Sequence, residues 1–185
     1  MNTKHFLVMT KYFYGLLLTV GLLACSSNPQ NEAGFEKEEV SKQEEVTPQT
    51  LQFSDLEGNA IELDDFEGKA IFLNLWATWC RPCIMEMPSI EQAYQELKEE
   101  GYVFLAASYE DPEKIREFAD KQDFTFPFIH LKSDMQALGV QSIPTTYIYN
   151  ESGEVVARII GSREWDSPEL MARLQEWKTA EPGRE

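Results

Sequence analysis

The residues best suited to chemistry in this chain of 185 residues are Cys80 and Cys83, which stand three positions apart in the stretch WCRPC. Two thiols this close can hold a metal ion, close a structural disulfide or exchange electrons with another disulfide. A structural disulfide is weakly motivated, because so short a loop gives it little chain entropy to remove. Zinc would need two further ligands, and beyond residue 25 only His130 is available besides carboxylates. Redox exchange is therefore favoured, with the structural disulfide and half of a zinc site as alternatives.

The segments on either side of the pair predict where the two sulfurs lie. Residues 70–77, AIFLNLWA, form a continuous apolar run typical of a strand covered on both faces. Residues 82–99 carry apolar side chains at helical spacing, and Gly101 is a plausible helix stop. Cys80 is thus expected where the strand ends and the helix begins, with Cys83 one turn inside that helix.

This placement predicts different roles for the two thiols. Free amide groups and the positive end of the helix dipole should favour the thiolate of Cys80 and lower its pKa. Cys83 is expected to lie deeper and to be better shielded. Cys80 is therefore the predicted nucleophile toward a partner's disulfide, and Cys83 is the thiol that resolves the mixed disulfide.

The rest of the chain predicts the fold class. Pro88 should interrupt and kink the first helix. The other expected elements are two short strands around residues 57–59, a buried strand in YVFLAAS, a helix from Asp111-Pro112 to about Lys121, a hairpin joined at residues 150–153, and a helix from Ser167 to Lys178. Strand, helix, strand and helix in succession imply parallel pairing. The predicted fold is an α/β sandwich, a mixed central sheet flanked by helices, with an N-terminal β-hairpin.

The first 48 residues predict how the chain is targeted in the cell rather than how it folds. Residues 1–24 have a basic start and a short apolar run, and Leu22-Leu23-Ala24 directly precedes Cys25. This order resembles a bacterial lipobox, which implies cleavage before Cys25, lipidation of that cysteine and a membrane anchor. A simple uncleaved N-terminal anchor is the alternative. We expect a flexible acidic tether over residues 25–48, a folded domain over residues 49–180 and a short tail over residues 181–185.

Charge limits the class of partner. The formal net charge is −16, which argues against nucleic acid or anionic lipid as the main partner. Much of the acidity lies in residues 32–48, a charge run that reads as a solvated spacer, with an acidic docking site as the alternative. Ser26 after the predicted lipidated cysteine leaves residence at the inner or the outer membrane open.

Two stretches together carry a family resemblance. FLNLWATWCRPCIMEMP and LGVQSIPTTYIYNESGEVVARIIG are similar to the thioredoxin superfamily, over about Leu51 to Lys178. The lipid-anchored start, the N-terminal hairpin and Glu86-Met87-Pro88 more narrowly resemble its exported TlpA and ResA type. The resemblance implies a thiol–disulfide oxidoreductase with no cofactor beyond its own Cys80–Cys83 disulfide. It also implies a cis peptide bond before Pro144, with Ile143 and Thr145 offering backbone groups to an extended substrate strand.

The residues near Cys80 and Cys83 suggest which group accepts a proton and which residue adjusts the reduction potential of the cysteine pair. Asn74 stands where thioredoxin has a buried aspartate, and an asparagine cannot take a proton. Glu86, three residues beyond Cys83 on the same helix face, is our candidate for the base, with a raised pKa if it is partly buried. The alternative is a first-turn glutamate that only favours the helix dipole. Arg81 is expected to tune the potential by favouring the thiolate of Cys80, unless it is merely exposed.

The two tryptophans of the motif are expected to differ in position. Trp79 should form an apolar rim that contacts substrate, while Trp76 packs in the core. A core role for both is the alternative.

Two rival functions remain. His130 with two thiolates would suit copper delivery, although exported copper proteins of this fold have a wider cysteine spacing. The stretch SYEDPEKIREFADKQDFTFPF also resembles peroxiredoxins, whose nucleophile lies in a Thr-x-x-Cys motif. In this chain Thr78 stands two residues before Cys80 rather than three.

The sequence as a whole predicts a membrane-anchored reductase of the cell envelope. Its expected partners are disulfide-containing envelope proteins, including apocytochromes awaiting haem, a membrane thiol carrier that donates electrons, and the lipid bilayer through Cys25. No nucleic acid and no metal ion are expected to bind.

Overall fold

The structure is a computed structural model that describes residues 51–135 and 139–182. The predicted signal segment (1–24), the lipidation site Cys25 and the tether to residue 48 lie outside the described residues. None of the helices in the described part of the chain is long and apolar enough to cross a membrane.

The described residues form seven strands and three α-helices. The strands are β1 (Phe53–Ser54), β2 (Ala60–Ile61), β3 (Ala70–Trp76), β4 (Tyr102–Ser108), β5 (Phe128–Leu131), β6 (Thr145–Tyr149) and β7 (Val155–Ile160). The helices are α1 (Arg81–Leu97), α2 (Pro112–Ala119) and α3 (Pro168–Trp177). Short 3-10 turns occupy Leu63–Phe66 and Lys98–Glu100.

All seven strands belong to one sheet in the order β2-β1-β5-β4-β3-β6-β7. The pairs β3–β4 and β4–β5 are parallel, whereas β1–β2, β1–β5, β3–β6 and β6–β7 are antiparallel. The predicted mixed sheet flanked by helices is therefore confirmed. Every side chain of β3 is buried, as its continuous apolar run predicted.

Two apolar layers cover the faces of the sheet. One layer contains the buried side chains of all three helices and the aromatic rings of Phe72, Trp76 and Phe104. The opposite layer contains Leu73 and Leu75 from β3 together with Phe53 of β1 and Ile129 and Leu131 of β5. Because β3 contributes to both layers, the segment that follows it is held from two sides.

Helix α1 begins one residue before the predicted range of 82–99 and ends two residues before the end of that range, and Pro88 does not interrupt it. Cys80 is the N-cap, and Gly101 ends the following turn in the left-handed conformation at φ 88°. The helix is one continuous element from Arg81 to Leu97, so the predicted interruption is wrong. Pro88 lies on the exposed face while its neighbours Met87 and Ile90 are buried, so packing holds the helix through the missing amide.

Phe72 joins the helical layer to the sheet, and its removal tests how the site is supported. Its ring stacks on Phe104 at 4.6 Å and meets Trp165 edge-on at 4.7 Å. Replacing Phe72 by Ala should lower the free energy of unfolding by about 3–5 kcal/mol, because it leaves a cavity in a packed core. Urea denaturation measures the loss. Phe66→Ala, at a partly buried site in the opposite layer, is the control and should cost less than half as much.

Candidate active site

Cys80 and Cys83 form a disulfide at the start of α1. The S–S distance is 2.05 Å and the Cα atoms are 5.3 Å apart. Cys80 is the N-cap of the helix, and its Sγ accepts a hydrogen bond from the backbone N–H of Cys83 at 3.3 Å. Cys80 is 4% exposed and Cys83 is 0% exposed. The predicted placement and relative depth of the two sulfurs are confirmed.

The loop that leads into Cys80 is held by a residue that sequence reasoning missed. The carboxylate of Glu110 accepts hydrogen bonds from the backbone N–H of Thr78 at 2.5 Å and from the Thr78 hydroxyl at 2.9 Å. The parallel register pairs Trp76, the last residue of β3, with Ser108, the last residue of β4. The second residues after these strand ends, Thr78 and Glu110, therefore lie side by side. That register was the one signal that could have indicated Glu110.

Glu86 lies on the buried face of α1, and only 2% of the residue is exposed. Its carboxylate accepts hydrogen bonds from Asn74 Nδ2 at 2.9 Å, the backbone N–H of Arg163 at 3.0 Å and Trp165 Nε1 at 3.1 Å. Burial raises the pKa of Glu86 above its usual value, although these three donors oppose that rise. The predicted burial and raised pKa are confirmed, whereas the role of Glu86 as a base stays a prediction.

Asn74 connects Glu86 to the sheet. Its Nδ2 donates to Glu86 and also to Thr146 Oγ1, each at 2.9 Å, and its Oδ1 is buried without a hydrogen-bond partner among the described residues. Asn74 therefore acts as a donor to the buried carboxylate of Glu86. Thr146 is the partner that sequence reasoning missed, because β3 and β6 meet across 72 positions of sequence.

The loop after β7 supplies the other two donors to Glu86. Arg163 and Trp165 both lie in this loop, and the Trp165 backbone N–H also donates to Ser89 Oγ at 3.1 Å. The Ser89 hydroxyl in turn donates to the backbone oxygen of Glu86 at 2.7 Å. No local pattern indicates where such a loop docks, so neither residue was predicted.

The two tryptophans of the motif separate as predicted. Trp76 is fully buried beside Phe118 and Phe128, whereas Trp79 is 62% exposed. Arg81 is exposed at the first position of α1. Its predicted effect on the redox potential stays a prediction.

The loop before β6 contains the proline for which the resemblance implied a cis peptide bond. The Ile143–Pro144 peptide bond is cis, which confirms the prediction. The Pro144 carbonyl accepts the Gly161 N–H at 2.8 Å, and the Thr145 hydroxyl donates to the Ser142 carbonyl at 2.7 Å. Substrate binding by Ile143, Pro144 and Thr145 stays a prediction.

An open cavity of about 680 Å³ lies beside the disulfide loop. Trp79 and Ile143, two of the predicted substrate-binding residues, both line it, together with Tyr109 and His130. The cavity therefore brings the residue before Cys80 and the residue before Pro144 to one surface.

The structure also places His130 and Thr78, the residues on which the two rival functions depend. His130 is half-buried in β5, and burial together with the Lys132 cation lowers its pKa. The described residues contain no group of three or more His, Cys, Asp and Glu side chains placed to hold a metal ion. The Thr78 hydroxyl donates to Glu110 and is thus not directed at Cys80, which disfavours a peroxidase site.

Comparisons with known proteins show which proteins this chain is similar to. The family model described as "AhpC/TSA family" matches residues 43–158. A thiol-disulfide oxidoreductase ResA from Halalkalibacterium halodurans is 43% identical over 105 residues, which cover 55% of this chain and 60% of that protein. A thiol-disulfide oxidoreductase ResA from Bacillus cereus is 35% identical over 132 residues, which cover 70% of this chain and 76% of that protein.

A solved structure gives the same fold. The crystal structure of a putative thiol:disulfide interchange protein DsbE from Chlorobium tepidum aligns with a TM-score of 0.62 at 21% identity, covering 70% of this chain and 94% of that chain. At this identity the likeness shows the fold alone, which is thioredoxin-like. Since the family model matches more than half of the sequence, the chain belongs to the AhpC/TSA family.

Proposed function

We propose that this protein is a thiol–disulfide oxidoreductase in which Cys80 attacks and Cys83 resolves. The observation that carries the proposal is the position of Cys80, which caps α1 and accepts the Cys83 N–H while bonded to the Cys83 sulfur. The helix N-terminus offers amide donors and partial positive charge to a sulfur that must bear a negative charge when reduced. The similarity to thiol-disulfide oxidoreductases named ResA supports the same activity.

The reaction needs only sulfur, protons and electrons. In the reduced protein the Cys80 thiolate attacks one sulfur of a client disulfide, and the other client sulfur leaves as a thiolate. Cys83 then loses its proton and attacks Cys80 Sγ, which releases the second client thiolate. The client gains two electrons, and the protein is left with the Cys80–Cys83 disulfide. An external dithiol must reduce this disulfide before the next cycle.

The exposed apolar side chains support a protein as the client. Trp79, Met85, Tyr109 and Ile160 are the exposed large apolar residues of the described chain. Trp79 and Met85 flank the disulfide in sequence, Tyr109 shares a cavity with Trp79, and Ile160 pairs in register with Thr145. Apolar side chains around a reactive centre suit the side chains of a polypeptide.

Glu86 is the proposed proton acceptor for Cys83. It lies one helical turn beyond Cys83 on the buried face of α1, and its raised pKa lets it exchange a proton nearer to neutral pH than an exposed carboxylate can. The donors from Asn74 and the Arg163 loop hold its two oxygens in place.

The proposed setting is the cell envelope. The lipobox-like residues before Cys25 support anchoring of the chain to a membrane through lipid, which would place the domain beside disulfide-containing exported proteins. We propose net reduction of such clients, including apocytochromes c, with a membrane thiol carrier as electron donor. Arg81 beside Cys80 would adjust the potential of the pair.

Separate cysteine variants test the order of attack. In a Cys25→Ser background, which removes the third cysteine, Cys83→Ser should accumulate a mixed disulfide with an insulin or peptide disulfide, because Cys80 attacks but is not released. Cys80→Ser should accumulate almost none, since the remaining sulfur is fully buried. Mass spectrometry under non-reducing conditions measures both. Equal trapping by the two variants would show that the roles are assigned wrongly.

The ionisation of Glu86 should appear in stability as a function of pH. Its raised pKa means that the folded protein binds this proton more tightly than the unfolded chain, so the stabilisation by the proton is lost as the pH rises through the folded-state pKa. Relative to Glu86→Gln, the wild-type free energy of unfolding should therefore fall as the pH rises above the ordinary value of 4.5. Urea denaturation across the pH range measures this.

Glu91 on the same helix is the matched control. Burial raises the pKa of Glu91, but hydrogen bonds from Thr125, Gln95 and Phe126 together outweigh it and lower the pKa. The stabilisation by the Glu91 carboxylate is therefore lost as the pH falls. Glu91→Gln should change the pH profile in the opposite sense. The proton-acceptor role further requires that Glu86→Gln remove a pH-dependent limb from the rate at which Cys83 resolves the mixed disulfide; an unchanged limb would rule it out.

The direction of electron flow is tested by equilibrium with glutathione buffers. A reductase should have a potential well below the roughly −120 mV of strong disulfide oxidants. Trapping of the thiols with acid and mass spectrometry give the reduced fraction at each ratio. A potential near that of the strong oxidants would reverse the direction while leaving the exchange chemistry in place.

A further inference from the structure

Glu110 is a buried carboxylate that the proposed reaction does not use. It lies between β4 and α2, and its side chain is 7% exposed. Its carboxylate accepts hydrogen bonds from the Thr78 N–H, the Thr78 hydroxyl, the Ser108 hydroxyl and the Lys114 ammonium. Although Glu110 stands directly before α2, none of these four donors is a backbone amide of that helix.

Another residue already caps α2. Asp111 is its N-cap, and the Asp111 side chain accepts the Glu113 N–H at 2.9 Å. Asp111 therefore supplies the cap of the helix, and Glu110 does not. Its two bonds to the backbone and side chain of Thr78 join segments that are 32 positions apart in sequence, and they are the bonds that need explanation.

Glu110 carries a negative charge at its buried position, and a neighbouring cation balances that charge. Burial raises its pKa, but the Lys114 ammonium and the two Thr78 donors outweigh burial, so the pKa lies below its usual value. Glu110 is thus ionised at neutral pH, and Lys114 pairs with it. An ionised, lysine-paired carboxylate makes stronger hydrogen bonds than a neutral acceptor.

Thr78 transmits this anchoring to the reactive sulfur. The Cys80 N–H donates to the Ala77 carbonyl at 3.0 Å, which closes a turn around Thr78 and Trp79. Cys80 then places its Sγ at 3.3 Å from the Cys83 N–H. A shift of Thr78 would therefore move Cys80 relative to the amide at the start of α1.

We propose that Glu110 is a positioning residue for the thiol–disulfide exchange: by binding Thr78 from the end of β4, it holds Cys80 against the amides at the start of α1. This inference rests on the proposed function for its purpose, but its geometry does not depend on any client. Glu110 acts through Thr78 and makes no contact with the sulfur itself.

A charge-neutral double variant tests the role of position. Glu110→Gln with Lys114→Met removes one negative and one positive charge, so the local net charge is unchanged while the Thr78 anchor loses one of its two acceptor oxygens. The control is Glu117→Gln with Lys121→Met, which makes the same change at an exposed pair at the C-terminal end of α2, whose charged atoms are 3.8 Å apart. Both are made in the Cys25→Ser background.

The readout is the rate at which iodoacetamide alkylates Cys80 in the reduced protein from pH 5 to 9. In the Glu110 double variant, Cys80 should be alkylated about threefold more slowly at pH 6. This factor corresponds to a pKa of Cys80 that is higher by about half a unit. At pH 9, where the thiolate dominates, the rates should converge. The control double variant should follow the wild-type profile throughout.

The outcomes separate this inference from the proposed function. If the wild-type Cys80 reacts no faster than an unperturbed thiol, the proposed function fails. If it reacts fast and the two double variants share its profile, only the role of Glu110 is overturned. Should the Glu110 double variant not fold, Thr78→Val removes one of the two hydrogen bonds at a half-buried residue, and it must shift the profile in the same direction to a smaller extent.

Discussion

A carboxylate buried beneath a helix has to be solvated by the protein itself, and at Glu86 this requirement connects three distant parts of the chain. Asn74 reaches it from the central strand, while Arg163 and Trp165 reach it from the loop before α3. These bonds fix the rotation of α1 about its axis, because Glu86 can face only one way. The disulfide at the start of α1 takes its orientation from that constraint.

The two buried carboxylates near the redox pair, Glu86 and Glu110, have surroundings that shift their pKa values in opposite directions. Glu86 is bound by neutral donors, so burial dominates and its pKa is raised. Glu110 is bound by Thr78 and paired with Lys114, so its pKa is lowered. One group is suited to exchanging a proton and the other to keeping its charge. The same residue type thus serves two purposes, because burial weighs more on the pKa of Glu86 and because Lys114 contacts Glu110.

The parts of the site that follow from local rules could be predicted. The N-cap position of Cys80, the depth of Cys83 and the burial of Glu86 all depend on helical spacing, which a sequence displays directly. Thr146, Arg163, Trp165 and Glu110 were missed because they reach the site from elements remote in sequence. The interruption at Pro88 was wrong for a related reason: the exposure of Pro88 depends on how the helix packs.

The limited exposure of Cys80 has a consequence for which molecules the protein can serve. Only 4% of this residue is accessible, while Trp79 beside it stands 62% exposed. In the proposed exchange, a client sulfur would therefore have to reach Cys80 through its small exposed surface beside the indole of Trp79. A flexible polypeptide segment can make that approach more readily than a cystine recessed in a compact protein.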